Sequence, residues 1–248
     1  MFVHGPAVRQ QALALIAAGV NDCEIARQLG VARTTIRGWR KPRYVRKTPG
    51  AICPRCWQAT KPILVPAGDY AELLGLYLGD GHIAPLDRTH RLRIFLDAAY
   101  PQIIADTMAL LERCFPHNPV DQVVKHGGSC FAVSVYSRHL PCLFPQAGPG
   151  KKHHRPITLE PWQLAAVAAA PWRFLKGCIR SDGCAFVNKT GKYEYLSYAF
   201  DNRSTDILVL FDAVASSLGL TPRRTVRQVR INCRPAVALM ERHVGLKA

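Results

Sequence analysis

The sequence predicts an α+β protein: three short helices at the N-terminus, then two successive copies of a helix, hairpin, helix, hairpin unit. Three observations carry that expectation. Apolar residues in positions 1–41 recur at helical spacing between glycines. The rest of the chain repeats itself at a period of roughly 100 residues. Within each copy, stretches of period 3.6 alternate with stretches of period 2. With 248 residues and 48% apolar content, the chain is long enough to bury a core in one or two domains.

Charge narrows the class of partner before any motif is read. Lys and Arg number 33 against 17 Asp and Glu, a formal net charge of +16, which favours a polyanion and most simply nucleic acid. The start MFVHGPAVRQQ lacks the basic and apolar segments of a secretory signal, and no apolar run approaches the roughly 18 residues that span a bilayer. The expectation is a cytoplasmic protein with no membrane partner. Nine cysteines, an odd number without framework spacing, read for the most part as small buried hydrophobes in a reducing compartment, with only Cys53 and Cys56 spaced to suggest more.

The first helices are RQQALALIAAG, NDCEIARQLG and ARTTIRGWRK, separated at Gly19 and Gly30. Asn21 is placed to cap the second, with Glu24 positioned to reach back as in a capping box. Leu13, Ile16, Ile25, Leu29, Val31, Ile36 and Trp39 fall at spacings that close a small core. This pattern resembles the helix-turn-helix of resolvase and invertase DNA-binding domains, whose third helix enters the major groove. The resemblance implies that Arg33, Thr34, Thr35 and Arg37 face bases or phosphates. Arg33, Arg37, Arg40, Lys41, Arg43, Arg46 and Lys47 form a run with no acid among them, and phosphates would balance their repulsion. The competing reading is a plain three-helix packing unit with a solvated basic face.

A domain boundary is expected after residue 41, because KPRYVRKTPG cannot continue a helix and reads as a basic arm within a linker over 42–67. In that linker, Cys53 and Cys56 of CPRCW have the spacing of a zinc knuckle without a second CxxC. His139 and Cys142 in RHLPC are the nearest complement. Four-ligand zinc and two ordinary buried thiols both stand as readings.

The repeat begins with DYAELLGLYLGDGHI and again with APWRFLKGCIRSDGC, which align without a gap on Asp80-Gly81 and Asp182-Gly183. After the first come the alternating RLRIFLDA, an apolar helix from Pro101 to Arg113, then QVV and CFAVSV around HGG. After the second come CAFVN and YEYLSYAFD, a helix with Ile207, Leu210, Phe211, Val214 and Leu218 in phase, then VRQVRIN. Short final helices, HLPCLF and Pro235 to His243, close the copies.

Residues 68–248 thereby resemble the single-chain LAGLIDADG homing endonucleases, with a first unit over 68–150 and a second over 151–248. The resemblance implies a pseudo-twofold pair of αββαββα units whose motif helices pack side by side while the sheets form a DNA-binding saddle. Small residues four apart, Gly75 with Gly79 and Gly177 with Ser181, suit close helix packing. Each glycine inside a helix costs about 1 kcal/mol relative to alanine, so its retention suggests a packing reason.

By the same resemblance Asp80 and Asp182 are catalytic acids that would hold Mg²⁺, assisted by the carbonyls of Gly79 and Ser181. Hydrolysis of a phosphodiester builds negative charge that a hard cation on oxygen ligands can neutralise. The alternative is that both acids merely begin Asp-Gly turns. Where the family motif carries its first aspartate, this chain has Leu78 and Arg180. Basic residues on candidate strands, Lys125, Arg227 and Arg230, are available to complete the site. Gln228, Arg230 and Asn232 alternate on one strand face as base-reading types, or else as an ordinary exposed sheet face. KKHHRP after Gly150 adds cations that a solvated loop explains equally well. The resulting expectation is a monomeric, Mg²⁺-dependent, site-specific endonuclease of double-stranded DNA. A non-cleaving transcriptional regulator on the same fold is the main alternative, and an RNA maturase a lesser one.

Overall fold

A computed structural model describes residues 6–40 and 65–247. The chain divides into two compact units, residues 1–51 and 52–248. In the first, helices α1 (Pro6–Ala17), α2 (Asp22–Leu29) and α3 (Arg33–Arg40) enclose buried Ala12, Ile25, Val31 and Ile36. Leu13, expected in that core, is 40% exposed, and Ala12 and Leu15 take its place. The reason is phase: Val8, Ala12, Leu15 and Ile16 lie on one helical face, and Leu13 lies off it.

Asn21 caps α2 by accepting from the backbone N–H groups of Cys23 and Glu24 at 3.1 and 3.0 Å. The reciprocal half of the expected capping box does not form. Glu24 accepts from Gln28 and Arg27 on its own helix instead. Gly30 ends α2 with φ +63°, a left-handed conformation that glycine adopts without steric cost. Arg40 ties α3 back to the start of α2, donating to Asp22 at 2.7 Å and to the Val20 carbonyl at 2.8 Å. Lys41, Arg43, Arg46, Lys47, Cys53 and Cys56 lie outside the described residues.

In the larger unit, one order of elements occurs twice. The first copy comprises α4 (Ala67–Asp80), β1 (Gly81–Pro85), β2 (His90–Asp97), α5 (Pro101–Cys114), β3 (Val120–Lys125), β4 (Cys130–Ser137) and α6 (Leu140–Leu143). After α7 (Pro161–Ala169), the second comprises α8 (Pro171–Arg180), β5 (Gly183–Thr190), β6 (Tyr193–Asp201), α9 (Thr205–Ser217), β7 (Arg223–Arg224), β8 (Gln228–Ile231) and α10 (Arg234–His243). Both sheets are antiparallel and have the same strand order, β1-β2-β4-β3 and β5-β6-β8-β7.

Strand alternation sends one face of each sheet into the core. Leu92, Ile94 and Leu96 of β2 are buried, as are Tyr198 and Phe200 of β6 and Val229 and Ile231 of β8. The helices α4, α5, α8 and α9 cover those faces with residues such as Leu73, Leu111, Leu175 and Phe211. At about 25 cal/mol per Å² of apolar area removed from water, such burial is the main force holding the halves.

The motif helices α4 and α8 meet through their glycines. A Cβ on Gly75 would come within 2.5 Å of the Phe174 carbonyl oxygen and 2.8 Å of Cys178 N, and one on Gly177 would fall on the Glu72 carbonyl oxygen. Backbone therefore packs against backbone. Ion pairs flank the crossing. Arg173 contacts Asp69 at 2.7 Å and Glu72 at 2.6 Å; Arg180 contacts Glu72 at 3.3 Å and Asp106 of α5 at 2.6 Å. Arg180, where the family motif has an aspartate, thus fastens α8 to both α4 and α5.

Helix α7 was not anticipated from the sequence, which assigns no element to this stretch. Glu160 and Gln163 form a capping box ahead of Pro161, a local signal in the residues themselves. Its fully buried Gln163 donates to the Tyr70 hydroxyl of α4 at 2.6 Å, and Tyr70 donates to the Leu143 carbonyl at 2.6 Å.

Candidate paired-acid site and nucleic-acid face

Asp80 is the last residue of α4, and Asp182 follows α8 by two positions. Their neighbours touch: a Cβ on Gly79 would fall on the Ser181 side chain and within 3.2 Å of Asp182 N. The glycine crossing of α4 and α8 therefore delivers both acids to one place. The Ser181 hydroxyl donates back to its own helix, 3.0 Å from the carbonyls of Gly177 and Cys178.

Burial pushes the Asp80 carboxyl up to about 6, the negative charge of Asp182 pushes in the same direction, and Lys247 and Lys152 pull it back. Burial likewise raises Asp182, opposed by Lys152, by a hydrogen bond from Asn202 and by Lys247. The Asn202 amide donates to Asp182 at 2.8 Å.

Two lysines stand at corresponding places. Lys152 Nζ donates to the carbonyls of Tyr77 (2.6 Å), Gly79 and Gly81 (3.0 Å). Lys247 Nζ donates to those of Ser181 (2.6 Å) and Gly183 (3.2 Å), the aligned positions of the second copy. Each ammonium thus meets the electronegative end of a motif helix. Burial pushes Lys152 down to about 8, against the opposing pull of Asp182 and Asp80.

The sequence left these two lysines unassigned. KKHHRP allowed a solvated loop, and Lys247 lies in a tail without a motif. The available signal is positional, since each lysine follows the short last helix of its copy. Arg155 shapes the loop carrying Lys152 by donating to the carbonyls of Gln146 at 3.1 Å, Gly148 at 2.9 Å, Pro149 at 3.1 Å and Gly150 at 2.9 Å.

The sheet faces turned away from the core carry much of the expected polar set. Registry places Arg91, Arg93 and Lys125 on one such face with His82. Arg91 donates to Ser134 at 3.0 Å and lies over the Tyr136 ring, while Arg93 reaches His82 Nδ1 at 3.1 Å. On the other sheet Gln228 and Arg230 alternate outward as expected, and Asn232 is exposed just beyond β8. Gln228 donates to Asp201 at 2.9 and 2.8 Å and accepts from Arg230, so the three form a chain across β6 and β8. Arg227 is exposed in the turn before β8. In the small unit, Arg33, Thr34 and Arg37 are exposed on α3, Thr35 is half-buried, and Arg40 holds the clamp described above. His139 is buried ahead of α6, and Cys142 lies on that helix. No cluster of three or more metal-capable His, Cys, Asp or Glu side chains occurs among the described residues. No described helix is long and apolar enough to cross a membrane.

The homeodomain-like domain family matches residues 6–42. No curated protein sequence matches the chain. Among solved structures, I-DmoI in complex with DNA and manganese is 16% identical, with a TM-score of 0.50, over 72% of this chain and 97% of that one. A structure of mesophilic variants of the homing endonuclease I-DmoI is 17% identical, with a TM-score of 0.50, over 73% and 97%. The LAGLIDADG meganuclease I-AabMI bound to uncleaved DNA is 11% identical, with a TM-score of 0.45, over 71% and 85%. At such identities the likeness is one of fold: a homeodomain-like helix-turn-helix segment precedes a domain with the fold of the LAGLIDADG homing endonucleases.

Proposed function

We propose that the protein is a site-specific endonuclease of duplex DNA, hydrolysing phosphodiesters with one carboxylate from each copy, Asp80 and Asp182. The carrying observation is the pair of half-buried acids at touching helix ends, each beside a matched ammonium, Lys152 or Lys247. Two half-buried like charges are costly alone, and a divalent cation between hard oxygen donors would relieve them. The donor set fits Mg²⁺: both carboxylates, and the Gly79 and Ser181 carbonyls, whose second lone pairs remain after the lysine contacts. When bound, such an ion supplies charge neutralisation on the scissile phosphate and an activated water. Lys152, pushed down to about 8, is suited to hold or give up a proton beside the acids near neutral pH.

In this reading the two copies are related by a pseudo-twofold, their outward faces form a saddle on the duplex, and the protein works as a monomer. Helix α3 with Arg33, Thr34 and Arg37 supplies a second DNA contact. The domain limits are those of the sequence: 1–41, 42–67, 68–150 and 151–248. Stoichiometric zinc in the purified protein would support a site at Cys53, Cys56, His139 and Cys142, and its absence would remove that site.

The experiment is selection of cleaved sites from a random duplex library with Mg²⁺, comparing wild type with Asp80→Asn plus Asp182→Asn. Cleavage by the wild type alone is expected. Sequence-specific binding without cleavage by either protein would refute the enzyme and favour a DNA-binding regulator.

A further inference from the structure

The two copies differ in the segment after the second strand and in the turn before the fourth. Equivalent backbone hydrogen bonds join the end of the second strand to the turn before the fourth: Ala98 N to Ser129 O at 3.0 Å, and Asn202 N to Arg227 O at 3.1 Å. These bonds pair Ala98 with Asn202, the next residue Ala99 with Arg203, and Ser129 with Arg227. Two alanines and a serine of the first copy thus correspond to an amide and two guanidinium groups of the second.

The loop between the copies adds to the imbalance. Lys151 and His153 join Arg203, Arg227 and Asp182, with Gly79, Gly81 and His82 of the first copy, around a cavity of about 660 Å³. Asp201 also lines it, but its carboxylate is already engaged by Gln228 at 2.9 and 2.8 Å. Lys152 is committed to helix carbonyls and Arg155 to its own loop. Lys151, Arg203 and Arg227 are exposed, and none forms an ion pair with a carboxylate among the described residues. The three cations are close enough that, after desolvation and His154, they hold His153 below its ordinary range. Converging cations around an open cavity, none of them in an ion pair among the described residues, fit a phosphate group.

We propose that Lys151, His153, Arg203 and Arg227 form a pocket for one backbone phosphate that Ala98, Ala99 and Ser129 cannot reproduce in the first copy, so that the two strands of a bound duplex are held unequally. This rests on the duplex-binding part of the proposed function and not on cleavage.

The test is binding to the selected target in Ca²⁺, using duplexes in which a neutral methylphosphonate replaces one phosphate at a time on each strand. For wild type, one position on one strand near the centre should weaken binding about tenfold, with no counterpart at the symmetry-related position. Arg203→Ala plus Arg227→Ala should bind the unmodified duplex about as weakly, ignore that substitution, melt at the wild-type temperature and show a log Kd against log salt slope flatter by about 0.9. A symmetric pattern, or a variant that binds like wild type, would overturn the pocket. Inorganic phosphate that displaces DNA better than chloride at equal ionic strength, from wild type but not the variant, would assign the pocket to the free anion and overturn the backbone assignment. A protein that binds with this one-sided pattern yet never cuts with Mg²⁺ fails as an endonuclease and leaves the pocket standing. Absence of duplex binding overturns both.

Discussion

Replacing Gly177 by alanine tests the helix crossing on which the paired-acid site depends. The added Cβ would fall on the Glu72 carbonyl oxygen and within 3.0 Å of both Glu72 C and Leu76 N. All three are backbone atoms of α4, so no side-chain rotation relieves the overlap. In an isolated helix the same change would gain about 1 kcal/mol. Forcing extra atoms into a packed contact costs about 1–3 kcal/mol, and backbone on both sides puts this case at the upper end, leaving a net loss of about 2 kcal/mol. For a unit of this size that lowers the melting temperature by about 4–8 °C. Gly68→Ala, on the same helix pair, is the control, because its Cβ would meet Ala170 Cβ and Arg173 Cγ at 3.8 and 3.9 Å, ordinary contact distances. Thermal unfolding followed by near-UV circular dichroism should show the loss for Gly177→Ala and none for Gly68→Ala. Equal melting temperatures for the two variants would refute the close backbone crossing.

Other perturbations follow from the same geometry. Asp80 has a folded value of about 6 against 3.8 for an exposed carboxyl, so the fold favours its protonated form. Its contribution is most favourable below 3.8 and is lost as pH rises to about 6. Asp80→Asn should therefore raise the melting temperature at pH 7.5, with the gain vanishing near pH 4, and a pH-independent difference would contradict the burial argument. Mg²⁺ should raise the melting temperature of wild type more than that of Asp80→Asn, which calorimetry measures directly. Lys152→Met should lower cleavage about a hundredfold or more while changing duplex affinity little, whereas unchanged turnover would remove Lys152 from the chemistry. Arg180→Met leaves Glu72, only 4% exposed, with Arg173 alone. Denaturant unfolding should show a loss of about 3 kcal/mol, and combining it with Glu72→Gln should cost less than the sum of the single changes.

Much of the architecture was legible because it is written in local periodicity. The glycines of α4 and α8, the alternation in β2 and β8 and the apolar phase of α5 and α9 each depend on neighbours in sequence. Errors arose where two phases competed, as at Leu13, or where a short helix before the second motif went unassigned, as with α7. The site was half legible. Asp80 and Asp182 stood out because both copies repeat them in register, while Lys152 and Lys247 carry no repeated string around them. Each reaches its helix end through a loop or tail whose path only the packed fold defines. Arg180, which read as a motif departure, proved to join three helices by ion pairs.

The sequence by itself determined the order of elements, the doubling of the unit, the two acids and the strongly basic character, since these depend on residue identity and spacing along the chain. Only the tertiary structure decided that the acids share one half-buried place and that lysines from outside the motifs stand beside them. Desolvation and Coulombic interaction depend on distances through space, and distances between residues far apart in sequence come into existence only when the helices cross and the loops close over them.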